Sequence, residues 1–222
     1  VVLVLFTGRP LTLKWEEENV PAILNVWFGG SEAGYAVADV LFGDVNPSGK
    51  LSTTFPQNVG QVPLFYNHKN TGRPLPEGKW FQKFRANYLD VSNDPLYPFG
   101  FGLSYTNFTY SDISLDKTSF KPGQKLTASI TVTNSGNKVG KEVVQLYIRD
   151  IVGTSTRPVK ELKGFQKIEL KPGEAKTVSF DISAEDLKYY NYDLKYVAEP
   201  GDFKIFIGGN SRDTKQADFK LL

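Results

Sequence analysis

The chain has 222 residues and a formal net charge of +2, from 26 basic and 24 acidic residues, with 40% hydrophobic and 23% charged residues. These values are ordinary for a soluble globular protein with a sizeable core, and without a basic block they argue against a nucleic-acid partner. No apolar run approaches the roughly 20 residues that cross a bilayer, and the absence of cysteine excludes disulfides, thiolate metal sites and a cysteine nucleophile.

The first 55 residues predict the end of a parallel α/β sheet. Residues 1–6 are apolar on both faces, as in a parallel strand covered by helices. In chain order we then expect a short helix around residues 15–18, a second buried strand over 22–28, and a helix over 32–42 with Ser31 as N-cap and Gly43 after its end. Two parallel strands do not make a stable sheet, and the chain does not begin with Met. We therefore expect it to be a piece of a longer chain.

The middle of the chain has weaker patterns. Asn46-Pro47-Ser48-Gly49 predicts a turn, followed by a short strand over residues 50–55. Residues 57–97 show no clean periodicity, and loops of that length are usually functional or wrapped over a neighbour. Residues 98–106, PFGFGLSYT, are too apolar and aromatic for a flexible linker, so they predict a packed hinge between two units.

From residue 110 onward the hydrophobic period is two. Apolar and polar residues alternate over 126–132, 144–148, 178–182 and 203–207, and residues 159–170 predict a bulged strand. Three turns are predicted between the strands, at Pro122-Gly123, Pro172-Gly173 and Pro200-Gly201, with glycine supplying a positive φ. About seven such strands indicate a two-sheet β-sandwich of immunoglobulin or fibronectin type III shape.

Several motifs, in this order, resemble glycoside hydrolase family 3. WFGGSEAG (27–34), ADVLFGD (38–44), NPSGKL (46–51), NTGRP (70–74) and LYPFGFGLSY (96–105) are similar to its C-terminal α/β-sandwich domain. RP (157–158) and ELKGF (161–165) are similar to its fibronectin type III-like domain. The resemblance covers essentially the whole chain and looks closest to the bacterial periplasmic β-glucosidase branch. It implies the C-terminal part of an α/β-sandwich (parallel-sheet) domain with a long aromatic-rich loop over 1–107, followed by a fibronectin type III-like β-sandwich over 108–222.

The resemblance also implies an activity. The parent would be a retaining, exo-acting β-glucosidase that removes terminal β-linked glucose, or a similar sugar, from oligosaccharides with two carboxylates about 5 Å apart. The family nucleophile is an Asp on a barrel domain, and the acid/base is a Glu on a loop before residue 1. No Asp or Glu here matches either motif, so no catalytic residue is assigned and the chain alone is expected to be inactive. The resemblance implies no cofactor and no metal, a periplasmic or secreted location, and the barrel of the parent chain as a partner; it leaves a homodimer open.

Candidate substrate-binding residues follow from the expected sheet. Ligands of open parallel sheets bind beyond the carboxyl ends of the strands, which places Arg9, Phe28 and Glu32 at a pocket rim. The loop over 57–97 would bring His68 and Arg73 to the same rim. Each has a structural alternative: an ion pair at the domain boundary for Arg9, a favourable helix-dipole position for Glu32, and simple loop exposure for His68, the only histidine.

Two further alternatives stay open. The aromatic residues between positions 80 and 97 could stack on sugars or pack between domains; they are Trp80, Phe81, Phe84, Tyr88 and Tyr97. The chain as a whole could be a non-catalytic carbohydrate-binding, protein-binding or scaffold module, although a module has no use for half of an α/β sheet.

Overall fold

A computed structural model describes residues 1–76 and 78–222. The α/β part holds β1 (Val2–Leu5), α1 (Lys14–Asn19), β2 (Ala22–Asn25) and α2 (Ala33–Phe42). The two strands pair in parallel, with Val2 opposite Ala22 and Leu5 opposite Asn25. The predicted strand–helix–strand–helix order is confirmed, although both strands are shorter than predicted.

The ends of α2 differ in how well the sequence predicts them. Gly43 ends the helix with φ 86°, which confirms its expected role. Ser31 is not the N-cap: the N-cap is Glu32, and no side chain caps the helix there. That prediction was wrong because the turn after Gly29-Gly30 extends one residue further than the Ser signal suggests.

The predicted strand over residues 50–55 is also wrong. Residues 50–55 form no continuous strand. Phe55 makes an isolated bridge, in which its carbonyl accepts the N–H of Leu96 and its N–H donates to the carbonyl of Tyr97, both at 2.9 Å. Pro56, which has no N–H, follows at once and ends the pairing. The chain then runs irregularly, apart from a single 3₁₀ turn at Val59–Gln61.

The fully buried side chain of Gln61 organises this irregular segment. Its Oε1 accepts the backbone N–H of Gln57 at 2.6 Å, and its Nε2 donates to the carbonyls of Ser92 at 2.8 Å and Asp94 at 3.1 Å. One amide thus ties the start of the 57–97 segment to its end. The segment is a fixed structure and not a free loop.

The β-sandwich consists of two sheets around one apolar core. A five-stranded sheet has the order β5-β13-β12-β7-β8, and a second sheet has β6 at its centre, with β9 on one side and β3 and β4 on the other. A short hairpin of β10 and β11 lies outside both sheets. The strands are β3 (Phe108–Tyr110), β4 (Ser114–Leu115), β5 (Ser119–Phe120), β6 (Lys125–Asn134), β7 (Gly140–Asp150), β8 (Glu161–Leu170), β9 (Ala175–Ser183), β10 (Tyr189–Tyr190), β11 (Tyr196–Val197), β12 (Gly201–Gly208) and β13 (Thr214–Leu221).

The turn predictions hold in two of three cases. Gly123 and Gly173 have φ 88° and 75°, as the Pro-Gly signal predicts. Gly201 instead starts β12, opposite Leu221, and is not among the glycines with positive φ. The bulged strand is confirmed as β8, whose pairing with β7 shifts register between Leu146 and Tyr147.

The hinge over residues 98–106 is packed, as predicted. The backbone of Leu51 pairs with it in both directions, donating to Phe101 at 2.8 Å and accepting from Gly100 at 2.7 Å. Asn46 bridges the two parts, since its Nδ2 donates to Val139 at 2.8 Å and its Oδ1 accepts from the Ser104 hydroxyl at 2.9 Å. These bonds fix the α/β part on the end of the sandwich.

Candidate functional site

The first candidate site is the strand-end surface, which we define as residues 7–9 and 27–32. The carboxyl ends of β1 and β2 lie side by side, and the Thr7 hydroxyl donates to Asn25 Oδ1 at 2.9 Å. Trp27, at φ 52°, turns the chain so that Phe28 lies against Gly8. A Cβ on Gly8 would lie 2.9 Å from the tip of the Phe28 ring, so a larger residue there would push this ring aside. The fold therefore brings the loops that carry Arg9 and Phe28 together.

The three residues predicted at this surface are all exposed. Phe28 is 88% exposed, so its ring is open to a ligand or to a covering domain. Within residues 1–76 and 78–222, Arg9 forms no ion pair. Glu32 lies at the N-terminus of α2, where the helix dipole favours its charge, but its side chain makes no capping bond.

His68 and Arg73 lie on a different part of the molecule. Tyr66 stacks on Phe99 with centroids 4.3 Å apart, and its hydroxyl accepts the N–H of Leu162 at 3.2 Å. The His68 carbonyl accepts the N–H of Val159 at 2.9 Å, so this stretch is fixed to the β-sandwich. Both the His68 and Arg73 side chains are exposed. In the described part of the chain, no contact joins either residue to the strand-end surface.

The aromatic residues of the 57–97 segment divide into two groups. Tyr97 packs between Phe55 and Phe101, at centroid distances of 6.0 and 5.1 Å. Trp80 and Phe84 are 56% and 73% exposed, and Phe84 has the strained φ of 65°. Packing within the α/β part and its hinge thus accounts for Tyr97, and it does not account for the exposed rings of Trp80 and Phe84.

Sequence reasoning missed a buried polar cluster between the two parts. Glu142 on β7 is 3% exposed; it accepts the Tyr110 hydroxyl at 3.0 Å and pairs with Lys50 Nζ at 3.2 Å. Burial raises the pKa of Glu142, against the opposing effect of Lys50, and burial together with Glu142 raises the pKa of Tyr110. Glu142 has the same phase as the inward-facing Val144, and that phase is the signal that could have found it.

Two observations concern the described residues as a whole. Across the described residues, no group of three or more His, Asp or Glu side chains is placed to hold a metal ion. Among the same residues, no helix has the length and apolar character needed to span a membrane.

Comparison with known proteins agrees with both halves of the fold. Residues 1–105 match the Glycosyl hydrolase family 3 C-terminal domain, and residues 142–211 match the Fibronectin type III-like domain. Over 222 residues the chain is 54% identical to a periplasmic beta-glucosidase of Salmonella typhimurium, covering 100% of this chain and 29% of that protein. It is 48% identical over 212 residues to a beta-xylosidase of Formosa agariphila, covering 96% of this chain and 28% of that protein.

Solved structures give the same result. A beta-glucosidase from Listeria innocua in complex with isofagomine superposes with a TM-score of 0.94 at 43% identity, covering 100% of this chain and 31% of that chain. A D270A mutant of the same enzyme, in complex with laminaribiose, matches with the same TM-score and identity.

The α/β half-sheet and the fibronectin type III-like sandwich correspond to the two domains that these matches give for the C-terminal part of glycoside hydrolase family 3 proteins. The chain belongs to glycoside hydrolase family 3 and corresponds to the C-terminal portion of the β-glucosidases in that family. It spans 29% of the length of the Salmonella relative and 28% of the Formosa relative.

Proposed function

We propose that the chain is the C-terminal portion of a retaining, exo-acting β-glucosidase that hydrolyses terminal β-linked glucose or a similar sugar. The observation that carries this proposal is the match to β-glucosidases along the whole chain, at up to 54% identity among the relatives compared. The nucleophile Asp and the acid/base Glu lie upstream of residue 1 in the parent chain. The buried Glu142 does not take over a catalytic role, because its carboxylate already accepts hydrogen bonds from Lys50 and Tyr110.

The strand-end surface forms part of the pocket rim in this proposal. The exposed ring of Phe28 offers an apolar face for a sugar ring. The Arg9 guanidinium donates to sugar hydroxyls, and the Glu32 carboxylate accepts from them. The barrel of the same chain covers this surface, so the three side chains lie between two domains, where ligand pockets are common.

We extend the proposal to His68 and Arg73, which would reach a pocket rim through a contact with another domain or subunit. Both are exposed on a segment that is fixed to the β-sandwich and also carries the exposed Trp80 and Phe84. A fixed segment with exposed aromatic rings suits a contact with the barrel or with a second subunit. Because both residues lie away from the strand-end surface of their own chain, His68 and Arg73 complete a pocket rim across a homodimer contact in this proposal.

The sugar and the location are the finer parts of the proposal. Relatives named as β-glucosidases and β-xylosidases both match, so glucose and xylose are the two sugars to compare. The Listeria complex with laminaribiose suggests a β-linked glucose disaccharide as the natural type of substrate. The relative named as periplasmic supports a periplasmic location, which cell fractionation tests directly.

The experiment is a substrate panel on the intact protein that contains this chain. Aryl β-glucoside, aryl β-xyloside and laminaribiose are compared at equal concentration, with an aryl α-glucoside as the control. Release of sugar from the β-glucoside but not the α-glucoside supports the proposal. Release from none of the four substrates contradicts it.

One observation favours a second candidate, a glycan-binding module. On the β10–β11 hairpin, Tyr190 and Tyr196 are 67% and 54% exposed, with ring centroids 5.1 Å apart. Exposed tyrosines on a rigid hairpin can stack on a polysaccharide. A protein that binds insoluble glucan but hydrolyses none of the panel would favour this candidate over the first.

A further inference from the structure

Trp27 has a backbone conformation that its residue type disfavours. Its φ is 52°, in the left-handed region that L-residues other than Asn and Asp rarely adopt. Trp27 follows the carboxyl end of β2 and directly precedes the exposed Phe28 of the strand-end surface. Strain of this kind persists only where surrounding contacts hold it, and it is frequent at ligand-binding sites.

A ring contact holds Trp27 in place. Its indole meets the ring of Phe55 edge-on, with centroids 5.9 Å apart and an angle of 65° between the planes. Phe55 is only 1% exposed, and its backbone is hydrogen-bonded to Leu96 and Tyr97. The Phe55 ring also contacts the Tyr97 ring at 6.0 Å. Trp27 is therefore anchored on a buried ring, and this packing offsets its backbone strain.

The backbone of Phe28 is held on both sides. On the N-terminal side, the N–H of Val26 donates to the Leu5 carbonyl at 2.8 Å, which continues the parallel pairing. On the C-terminal side, a Cβ on Gly29 would collide with the side chain of Ala33, so the chain runs close against the start of α2. The Phe28 ring itself projects from the surface and is free to contact a ligand.

The left-handed turn at Trp27 sets where the Phe28 ring lies. The tip of the ring lies against Gly8, 2.9 Å from the position that a Cβ would take there. Because extended strands have φ near −120°, an extended backbone at Trp27 would rotate the following chain by about 170° about the N–Cα bond. That rotation would carry the Phe28 ring away from Gly8.

We propose that Trp27 is a positioning residue for the pocket rim and that it acts through Phe28. This inference rests on the proposed function, in which the Phe28 ring contacts the sugar. The Phe55 ring fixes the indole, and the indole fixes the left-handed turn. The turn in turn fixes the Phe28 ring against Gly8. A ring that is held in place before the sugar arrives binds it at a lower entropic cost than a ring that must be ordered on binding.

The test measures kcat and KM of the intact protein on p-nitrophenyl β-D-glucopyranoside. Trp27→Asn removes the indole but keeps a residue that accepts the left-handed conformation. It should lower kcat/KM by roughly three- to tenfold, no more than the loss expected on removing the Phe28 ring itself. The change should appear mainly in KM, since the ring contacts the sugar in the ground state as well as in the transition state. Trp27→Phe keeps a ring beside Phe55 and should restore most of the lost kcat/KM.

The same substitutions in a Phe28→Ala background separate positioning from general support of the fold. In that background Trp27→Asn should have no further effect on kcat/KM, because no ring is left to position. Phe55→Leu is a second route, since it removes the ring beside the indole without changing the strand-end surface. It should lower kcat/KM of the wild type and leave that of Phe28→Ala unchanged.

Leu194→Asn is the matched control. Leu194 also has a positive φ, 59°, but it lies between β10 and β11. Its replacement should change kcat/KM by less than about twofold. A loss for Leu194→Asn as large as that for Trp27→Asn would show that relief of left-handed strain anywhere in the chain lowers activity, and would overturn the proposal.

The other outcomes distinguish the proposal from the function on which it rests. Unchanged kcat/KM for both Trp27→Asn and Phe55→Leu would overturn the positioning role. Losses of equal size in the wild type and in Phe28→Ala would also overturn it, because Trp27 would then act on the fold and not through Phe28. If Phe28→Ala itself leaves kcat/KM unchanged, Phe28 is not part of the rim and the positioning role falls with it. Absence of glucose release by the wild type would instead contradict the proposed function as a whole.

Discussion

Lys50 and Glu142 form an ion pair across the boundary between the α/β part and the β-sandwich. Lys50 Nζ lies 3.2 Å from each carboxylate oxygen, and the two side chains are only 14% and 5% exposed. Lys50 Nζ also donates to the Gly102 carbonyl of the hinge at 2.8 Å. This lysine therefore connects three segments: the turn after α2, the hinge and β7.

Replacing Lys50 by Met should destabilise the protein strongly. The substitution leaves the Glu142 carboxylate buried without its cation, which typically costs about 3–5 kcal/mol. The matched control is Lys204→Met, which removes a largely exposed pair with Asp218 at 2.8 Å and should cost about 0–1 kcal/mol. Urea denaturation followed by tryptophan fluorescence measures both. Equal effects of the two variants would contradict a stabilising role for the Lys50–Glu142 pair.

A second prediction concerns Gly100 in the hinge. It has φ 81°, and a Cβ there would collide with the side-chain amide of Gln145. That buried amide donates to the carbonyls of Gly100 at 3.2 Å and Gly209 at 2.6 Å.

Gly100→Ala should therefore lower the free energy of unfolding by more than backbone strain alone would. The left-handed conformation costs an L-residue about 1–2 kcal/mol, and disrupting a buried amide adds about 1–3 kcal/mol. Gly123→Ala is the control, because Gly123 has φ 88° and open space around its Cβ position. In thermal unfolding, the melting temperature of Gly100→Ala should be well below that of Gly123→Ala. The reverse order would contradict the packed hinge.

The third prediction is a pH dependence at Glu199. Hydrogen bonds from the Tyr189 hydroxyl, then from Thr154, lower the pKa of Glu199 to about 2. Because the folded-state pKa lies below its ordinary value of 4.5, the stability contributed by these bonds is present above pH 4.5 and is lost as the pH falls toward 2.

Glu199→Gln removes this pH-dependent contribution. The difference in melting temperature between the wild type and Glu199→Gln should be largest near neutral pH and should shrink as the pH falls from 4.5 toward 2. Glu185→Gln, at an exposed pair with Lys188, serves as the control and should show no such change. A difference for Glu199→Gln that stays constant with pH would be evidence against the lowered pKa.

The fourth prediction concerns substrate binding at Phe28. Because the ring is 88% exposed, Phe28→Ala should leave the melting temperature nearly unchanged. If the ring stacks on a sugar, the loss of its apolar contact, about 1–2 kcal/mol, should lower kcat/KM by roughly tenfold. Phe165→Ala, at a 66% exposed phenylalanine on β8, should leave both quantities unchanged. Equal kcat/KM for the Phe28 variant and the wild type would remove Phe28 from the pocket rim.

The sequence predicts most of the fold because its elements carry clear periods. The period of two in β6, β9 and β12 comes from one buried and one more exposed face, and these strands are found. β7 is also found, but its residues 144–148 are buried on both faces. Gly201 was misassigned because a Pro-Gly pair at the start of a strand looks the same in sequence as one inside a turn. The 50–55 strand fails because its pairing is interrupted: Leu51 bonds to Gly100 and Phe101, and Phe55 makes a separate bridge to Leu96 and Tyr97.

The candidate site is less predictable than the fold. The strand-end position of Arg9 and Phe28 follows from the parallel sheet, and the structure brings their loops together. His68 could not be placed from sequence, because its position depends on tertiary contacts of Tyr66 with Phe99 and Leu162. Glu142 was missed because a carboxylate in an apolar phase is buried only when a distant lysine pairs with it.

The most direct test of the central proposal is the stereochemistry of glucoside hydrolysis by the intact protein. Proton NMR follows the first sugar released from p-nitrophenyl β-D-glucopyranoside before mutarotation. A retaining enzyme of this family should release β-glucose first, because two successive inversions restore the configuration. Release of α-glucose first, or no release of glucose, would contradict the assignment of this chain to a retaining β-glucosidase.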